Sequence, residues 1–158
     1  MPVDEIVAIL EETPRRVAEL AKGLSAAQLH AAALGRWSIN DHLAHLRACQ
    51  DVFGGAMLRI LREDHPSFTA INPHTWIKQT DYPEWKFRPA FKAFNKQRAD
   101  LLEALERKRA TSWRRTATVK VWGASYERTV HYYGDWMASH ERAHWKSIKR
   151  IADVVRER

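Results

Sequence analysis

Apolar side chains recur every three to four residues through four long stretches of the chain, a spacing that is typical of amphipathic helices. The stretches span about residues 4–24, 38–64, 89–105 and 134–156. We predict one long helix in each. Thr13-Pro14 is predicted to interrupt the first, because proline lacks the backbone N–H that a helix interior uses.

Two capping boxes mark predicted helix starts. Ser25 with Gln28 predicts an additional short helix that ends near Ala33. Ser38 with Asp41 predicts the start of the second long helix, where the Asp41 carboxylate lies near the positive end of the helix dipole.

Residues 66–87 lack a sustained period and hold three of the six prolines. A loop this long inside a domain is usually functional or folded over a site, so we predict a long crossover between the second and third helices. Residues 116–130 alternate around Gly123 and predict a short β-hairpin before the fourth helix. Together these features predict an all-α fold, a four-helix bundle with one long crossover.

The composition indicates one soluble domain covering residues 1–158, with a mass of 18.4 kDa. Hydrophobic residues make up 45% of the chain, which is enough for a packed core. Cys49 is the lone cysteine, so an internal disulfide is excluded and a reducing compartment is favoured. No stretch approaches the roughly 20 apolar residues of a membrane span. We therefore predict a cytoplasmic protein that does not contact the membrane.

Two histidines interrupt the apolar stripe of the fourth helix. His140 and His144 are four residues apart, so both imidazoles project from one side of the helix. Burying an unpaired imidazole is costly, so the pair either forms hydrogen bonds with buried partners or binds a metal. The alternative is one structural histidine and one partly exposed histidine. The surrounding stripe contains Tyr133, Met137, Ile148, Ile151 and Val155.

A metal site needs at least a third ligand, and the second helix offers His42 and His45. On an ideal helical wheel His42 lies closer to the apolar stripe, whereas His45 lies on its flank beside Cys49. The spacing alone leaves both histidines open as ligands.

Three segments resemble the conserved pattern of a known family. Residues 36–46 (RWSINDHLAHL) are similar to its W-S-I…H-L segment, and residues 138–145 (ASHERAHW) to its H-[DE]-x-x-H-L helix. Residues 94–102 (FNKQRADLL) are similar to its F-x-x-x-R-x-x-L-L helix. In this order, over about residues 6–151, they resemble the DinB/YfiT-like superfamily of metal-dependent helical bundles.

The resemblance implies an up-down-down-up bundle, commonly a homodimer, with a divalent metal that is usually nickel or zinc. The positions matching the family's three histidine ligands are His45, His140 and His144, while His42 becomes a residue that supports them. Three protein ligands leave an open coordination position, as in catalytic sites. The resemblance therefore implies a metal-dependent thiol S-transferase or hydrolase acting on a small-molecule substrate, with a low-molecular-weight thiol as a candidate cofactor.

Four further residues are candidates for the pocket or for support of the ligands. Arg98 lies within the apolar stripe of the third helix, where a structural salt bridge is expected and substrate anchoring is the alternative. Glu141 is a candidate base or ligand-orienting residue, but its position about 100° from the ligand face predicts a solvated side chain. Cys49 is a candidate nucleophile or fourth ligand, although a small buried side chain is the commoner role. Tyr133 and the two residues before it are predicted to line the pocket mouth.

Two other functions compete with a metalloenzyme. A net charge of +7 and a sequence pI near 9.8 suggest non-specific nucleic-acid binding. The positive charges are scattered over all four helices without a recognition motif, which disfavours nucleic acid as a partner. The remaining alternative is a non-catalytic dimeric bundle that has kept the fold without the chemistry.

Overall fold

Four long helical segments pack side by side in the computed structural model, which describes residues 1–33 and 35–158. The long elements are α1 (Val3–Ala21), a second segment composed of α3 (Ile39–Cys49), a π-helical turn (Gln50–Gly54) and α4 (Gly55–Arg62), then α6 (Phe87–Leu105) and α8 (Val130–Arg156). The shorter elements are α2 (Ala26–His30), β1 (Ser67–Thr69), α5 (Pro73–Trp76), 3₁₀ turns at Ile77–Gln79 and Tyr82–Glu84, α7 (Ala110–Trp113), β2 (Thr116–Val121) and β3 (Ala124–Thr129). The four predicted helices are present, with ends that differ by a few residues. The predicted short helix ends at His30 rather than near Ala33.

The predicted interruption of the first helix at Pro14 is wrong, because α1 continues through this residue. Proline removes the hydrogen bond that its N–H would give to the carbonyl four residues earlier, which belongs to Leu10. Arg98 Nη1 of α6 donates to that Leu10 carbonyl oxygen at 2.8 Å. A side chain from another helix thus satisfies the acceptor that Pro14 leaves open, so the helix does not have to end.

Both predicted capping boxes are present. The Ser25 hydroxyl accepts from the Gln28 N–H at 3.1 Å, and the Ser38 hydroxyl accepts from the Asp41 N–H at 3.0 Å. In each box the side chain of the third helical residue accepts in return from the N–H of the capping serine, Gln28 from Ser25 and Asp41 from Ser38. Ser38 therefore fixes the start of α3, and with it the position of the histidines that follow.

The all-α prediction is incomplete, because the mostly helical chain also contains a three-stranded sheet. The predicted hairpin is present as antiparallel β2 and β3, with Val121 opposite Ala124. Its turn residues Trp122 and Gly123 both have positive φ, as the central residues of a type I′ turn do. Unexpectedly, the crossover contributes β1, which pairs in parallel with β2. The crossover is therefore tied to the hairpin, and it is not an irregular loop.

The crossover also packs on the second helical segment. Asp51 accepts hydrogen bonds from Trp76 Nε1 at 3.0 Å and from the Tyr82 hydroxyl at 2.6 Å. The Arg47 guanidinium lies over the rings of Tyr82 and Trp85, at 3.8 and 4.4 Å from their centroids. These contacts hold the crossover beside the part of α3 that carries the histidines.

Two hydrophobic clusters form the core, with α1 and α3 each packing against both α6 and α8. The first cluster includes Leu10, Met57, Leu101 and Met137. The second cluster includes Val17, Leu43, Phe94 and Ile148. On each long segment, a buried polar side chain lies between the residues of the first cluster and those of the second. These side chains are Thr13, Gln50, Arg98 and Glu141. None of the helices within residues 1–33 and 35–158 combines the length and apolarity that a bilayer span requires.

Candidate metal centre

Four imidazoles meet where α3 packs against α8. α3 contributes His42 and His45, three residues apart, and α8 contributes His140 and His144, one helical turn apart. His42 and His45 are buried, and the two histidines of α8 are half-buried. The cluster therefore lies at the edge of the core, where solvent and a ligand can approach from one side.

Three of the four imidazoles approach one another through the same ring nitrogen, Nε2, with His140 between the other two. His45 Nε2 lies 3.2 Å from His140 Nε2, which lies 3.0 Å from His144 Nε2. Two nitrogen ligands of a tetrahedral zinc ion, each 2.0–2.1 Å from the metal, lie about 3.3 Å apart. The donor type and the spacing of these nitrogens therefore fit a divalent metal.

His42 contacts the cluster through a different atom. Its Nδ1 lies 2.7 Å from His144 Nδ1, whereas the other nitrogen of the His144 ring faces His140. Metal-ligating histidines usually use their second nitrogen in this way, which fixes the ring orientation. By contrast, the buried Nδ1 atoms of His45 and His140 have no hydrogen-bond partner among the described residues.

Burial keeps these imidazoles neutral. Desolvation, and then the neighbouring histidines, lower the pKa of His45 to about 4 and that of His144 to about 2. Burial is also the main cause of the lowered pKa of His42, which falls to about 4, and of the lowered pKa of His140. The neutral imidazole is the form that binds a metal, so the cluster is ready to bind at neutral pH.

Cys49 lies one turn after His45, and its Sγ is 3.4 Å from His45 Nε2. His45, Cys49 and His140 each offer one ligand atom, and these three atoms all lie within 4.8 Å of one another. Burial raises the pKa of the Cys49 thiol to about 12, so in the metal-free protein it is a protonated thiol and a poor nucleophile. A bound metal would change this, because a coordinating thiol is deprotonated.

Glu141 is buried rather than solvated, contrary to the prediction. Its carboxylate forms a two-pronged ion pair with Arg98, with Nη1–Oε1 at 2.9 Å and Nη2–Oε2 at 2.6 Å. The Thr13 hydroxyl lies 2.6 Å from Glu141 Oε1. Glu141 lies about 100° around α8 from the ligand face, and this direction leads into the bundle interior because α8 packs against both α1 and α3. A carboxylate engaged in this way is not available as a base.

Arg98 forms the structural salt bridge that its position in an apolar stripe predicts. Besides Glu141, its Nε donates to Gln50 Oε1 at 2.9 Å. Its side chain is 1% exposed, so it does not reach a substrate from this position. Together with the Leu10 carbonyl, these partners satisfy the guanidinium within the core.

Two adjoining cavities lie at this end of the bundle, and one of them reaches His45 and His140. One, of about 750 Å³, is lined by His45 and His140 together with Trp136 and residues of the crossover and hairpin. The other, of about 620 Å³, is lined by Tyr133 but not by the histidines, so the place of Tyr133 at the mouth of the histidine pocket stays a prediction. Trp136 lines both cavities, and its ring also stacks on His140 with 4.5 Å between the ring centroids.

Two aromatic rings near the cluster were not identified from the sequence as site residues. The exposed His74 of α5 stacks on His45, with ring centroids 4.9 Å apart and planes 22° from parallel. Trp37, just before α3, lies 5.1 Å from the His45 ring and stacks on His144 at 6.4 Å. The available signals were the crossover's length for His74 and, for Trp37, its place directly before the Ser38 cap.

Comparisons with known proteins identify the family and the fold. The family model described as the DinB superfamily matches residues 9–148. Among solved structures, YfiT from Bacillus subtilis, described as a probable metal-dependent hydrolase with an unusual four-helix bundle topology, superposes with a TM-score of 0.77. That match has 14% sequence identity and covers 95% of this chain and 85% of YfiT, so it shows the shared fold alone. The comparison with curated proteins finds no match.

Proposed function

The chain belongs to the DinB superfamily, and on that premise we propose that it binds one divalent metal ion through His45, His140 and His144. The observation that carries the proposal is the approach of three Nε2 atoms from two helices, with neighbouring separations of 3.0 and 3.2 Å. His42 is then the residue that orients His144 through the Nδ1–Nδ1 contact.

We further propose that the site is catalytic and acts on a small molecule. Three protein ligands leave a position for water or substrate, where a bound metal supplies Lewis acidity and lowers the pKa of bound water. The cavity of about 750 Å³ that reaches His45 and His140 supports a small-molecule substrate. Nickel or zinc suits imidazole ligands. Hydrolysis is the favoured reaction because the similar YfiT is described as a probable metal-dependent hydrolase, with thiol S-transfer using a low-molecular-weight thiol as the alternative.

For the bundle we propose the up-down-down-up order of helices. The two hydrophobic clusters support it, because α1 and α8 run from the first cluster to the second along the chain. The segment from α3 to α4, and α6, run from the second cluster to the first. The homodimer, the single domain over residues 1–158 and the cytoplasmic location stay predictions of the sequence.

Elemental mass spectrometry of protein purified without a metal-affinity tag tests the site. We expect about one equivalent of metal per chain after loading with zinc or nickel, and its loss in His140→Ala and His144→Ala. His30→Ala is the matched control, since His30 is exposed at the end of α2. A full equivalent retained by both α8 variants would refute the assignment.

Two more variants separate the ligand from its neighbour. His45→Ala is expected to abolish binding, whereas His42→Ala is expected to weaken it 10- to 100-fold, the usual loss when a partner of a ligating histidine is removed. The reverse ranking would make His42 the ligand. Circular dichroism of each variant establishes that the loss of metal is not a loss of folding.

A closed, non-catalytic site is the second candidate, and Cys49 is the observation that favours it. With Sγ 3.4 Å from His45 Nε2, a Cys49 thiolate would complete four protein ligands, as structural zinc sites have. Cobalt substitution separates the two candidates. A thiolate-to-cobalt charge-transfer band that disappears in Cys49→Ser indicates the closed site, and its absence in the unaltered protein indicates the open, catalytic site.

A further inference from the structure

The cavity that reaches His45 and His140 and the cavity lined by Tyr133 adjoin each other, and together they are called the cleft. Both are lined by the same six residues: Phe53, Thr69, Ala70, Ile71, Val121 and Trp136. At one end the cleft reaches His45 and His140. At the other end it reaches Arg128 and Tyr132, near the start of α8. A molecule that occupies both cavities therefore extends from the histidines to Arg128.

The middle of the cleft is aromatic. Phe53 lies 4.1 Å from Trp136, and Trp136 stacks on His140, so aromatic rings continue from a proposed ligand into the cleft. Phe68 and Val119 add apolar surface on the side formed by the sheet. Such a surface favours a ligand with an apolar body over a polar or highly charged one. Transfer of apolar surface out of water is favourable in free energy, whereas a polar group loses its hydration.

The charged side chains along the cleft are not equally available to a ligand. Asp51 is occupied by Trp76, Tyr82 and Gln97, which all donate to its carboxylate. Arg59 pairs with the carboxylate of Glu63 at 2.8 Å. The acidic and basic groups in these pairs are therefore already satisfied.

Arg128 differs from these residues. Its guanidinium lies 4.4 Å from the centroid of the Tyr132 ring and 4.6 Å from that of Tyr126, which hold it in place. Within residues 1–33 and 35–158 the guanidinium has neither a carboxylate partner nor a hydrogen bond. A half-buried, positioned guanidinium at the end of an apolar cleft is suited to an anionic group. Among the described lining residues, Lys120 is the other cation without a carboxylate partner, and it lies on the cavity that reaches the histidines.

We infer that the cleft binds an elongated substrate with an apolar body and one anionic group, with the anionic group at Arg128 and the reactive group at the histidines. The orientation rests on the proposed function, because it assigns the reacting end of the substrate to the metal. The recognition of the anion by Arg128 does not need the metal.

Calorimetric titration of the full chain with three ten-carbon probes, decanoate, decanol and decylammonium, tests the inference. Decanoate is expected to bind at least about tenfold more tightly than decylammonium, since a charge-assisted hydrogen bond gains at least about that factor. Arg128→Gln is expected to remove this advantage and to leave decanol binding unchanged. Arg88→Gln, at an exposed position of α6 outside the cleft lining, is the matched control.

Titrating metal-free and metal-loaded protein in parallel separates this inference from the proposed function. Decanoate that binds both forms, with the same dependence on Arg128, supports the inference even if the histidines hold no metal. If decanoate binds only the metal-loaded form, and if Arg128→Gln leaves its affinity unchanged, then its carboxylate binds at the metal. This result overturns the inference. Equal binding of decanoate and decylammonium, or a loss in Lys120→Gln and not in Arg128→Gln, also overturns it.

Discussion

The ion pair between Arg98 and Glu141 makes a sharp test of how this bundle is stabilised. Its two side chains are 1% and 4% exposed, and each comes from a different long helix. Glu141→Gln keeps the size of the side chain and removes its charge. The Arg98 guanidinium would then stay buried with the Gln50 oxygen and the Leu10 carbonyl as its neutral partners.

Breaking one side of a buried, hydrogen-bonded ion pair costs about 3–5 kcal/mol, because the remaining charge has no counter-charge and no water. An ordinary domain has a free energy of unfolding of only about 5–15 kcal/mol, so this is a large fraction of the total. For a chain of this size, the loss corresponds to a decrease in Tm of about 6–20 °C. Urea unfolding followed by circular dichroism measures the free energy, and a thermal melt measures Tm.

The neighbouring residue on α8 provides the matched control. Arg142 pairs with Glu5 at 3.2 Å, but its side chain is 48% exposed, so Arg142→Gln is expected to cost less than about 1 kcal/mol. Replacing both buried partners, as in Arg98→Met with Glu141→Leu, removes the unpaired charge but leaves the Leu10 carbonyl and Gln50 Oε1 without their donor, so it is expected to recover only part of the stability that Glu141→Gln loses. If Glu141→Gln costs no more than Arg142→Gln, the buried charge is not held as the structure indicates.

Three further predictions concern the glycines, the histidines and the metal. Gly54→Ala is expected to destabilise the protein by about 1–3 kcal/mol in urea unfolding, because an added Cβ would meet the Gln50 side chain. Gly55→Ala, where nothing lies within 4 Å, should instead be neutral or stabilising, and similar costs at both positions would contradict the packing. The pKa values of about 4 for His45 and about 2 for His144 lie below the 6.5 of the unfolded chain, so the unfolded state binds more protons in acid. The metal-free protein should therefore be most stable above about pH 6.5 and lose stability as the pH falls from 6.5 towards 4, and a Tm that rises on acidification would be inconsistent with neutral buried histidines. Zinc at about 100 times its Kd should add about 2.7 kcal/mol, or about 5–11 °C in Tm, and a chelator should reverse the gain; an unchanged Tm would argue against a site in the folded state.

The helices were predictable because their signals are local. The period of apolar residues determines which face of each helix is buried, and the capping boxes at Ser25 and Ser38 place two starts within a few residues. The same periodicity placed His140 and His144 on one buried face. The hairpin of β2 and β3 was also local, since its turn residues connect strands that are adjacent in sequence.

The features that the sequence did not predict depend on partners far along the chain. α1 continues through Pro14 because Arg98, more than eighty residues later, donates to the Leu10 carbonyl. Likewise, β1 is a strand only because β2 lies beside it. Glu141 is buried because Arg98 neutralises its charge inside the bundle. No local propensity encodes such a pairing.

The candidate site divides in the same way. By itself, the sequence determined which histidines share a helical face, because four residues make about one turn whatever surrounds the helix. The packing of α3 against α8 decided which nitrogen each ring presents, with Nε2 of His45 toward His140 and Nδ1 of His42 toward His144. It also decided that the crossover and hairpin enclose a cleft ending at Arg128. Contacts between distant segments form only when the hydrophobic clusters bring the helices together, so their geometry belongs to the tertiary structure.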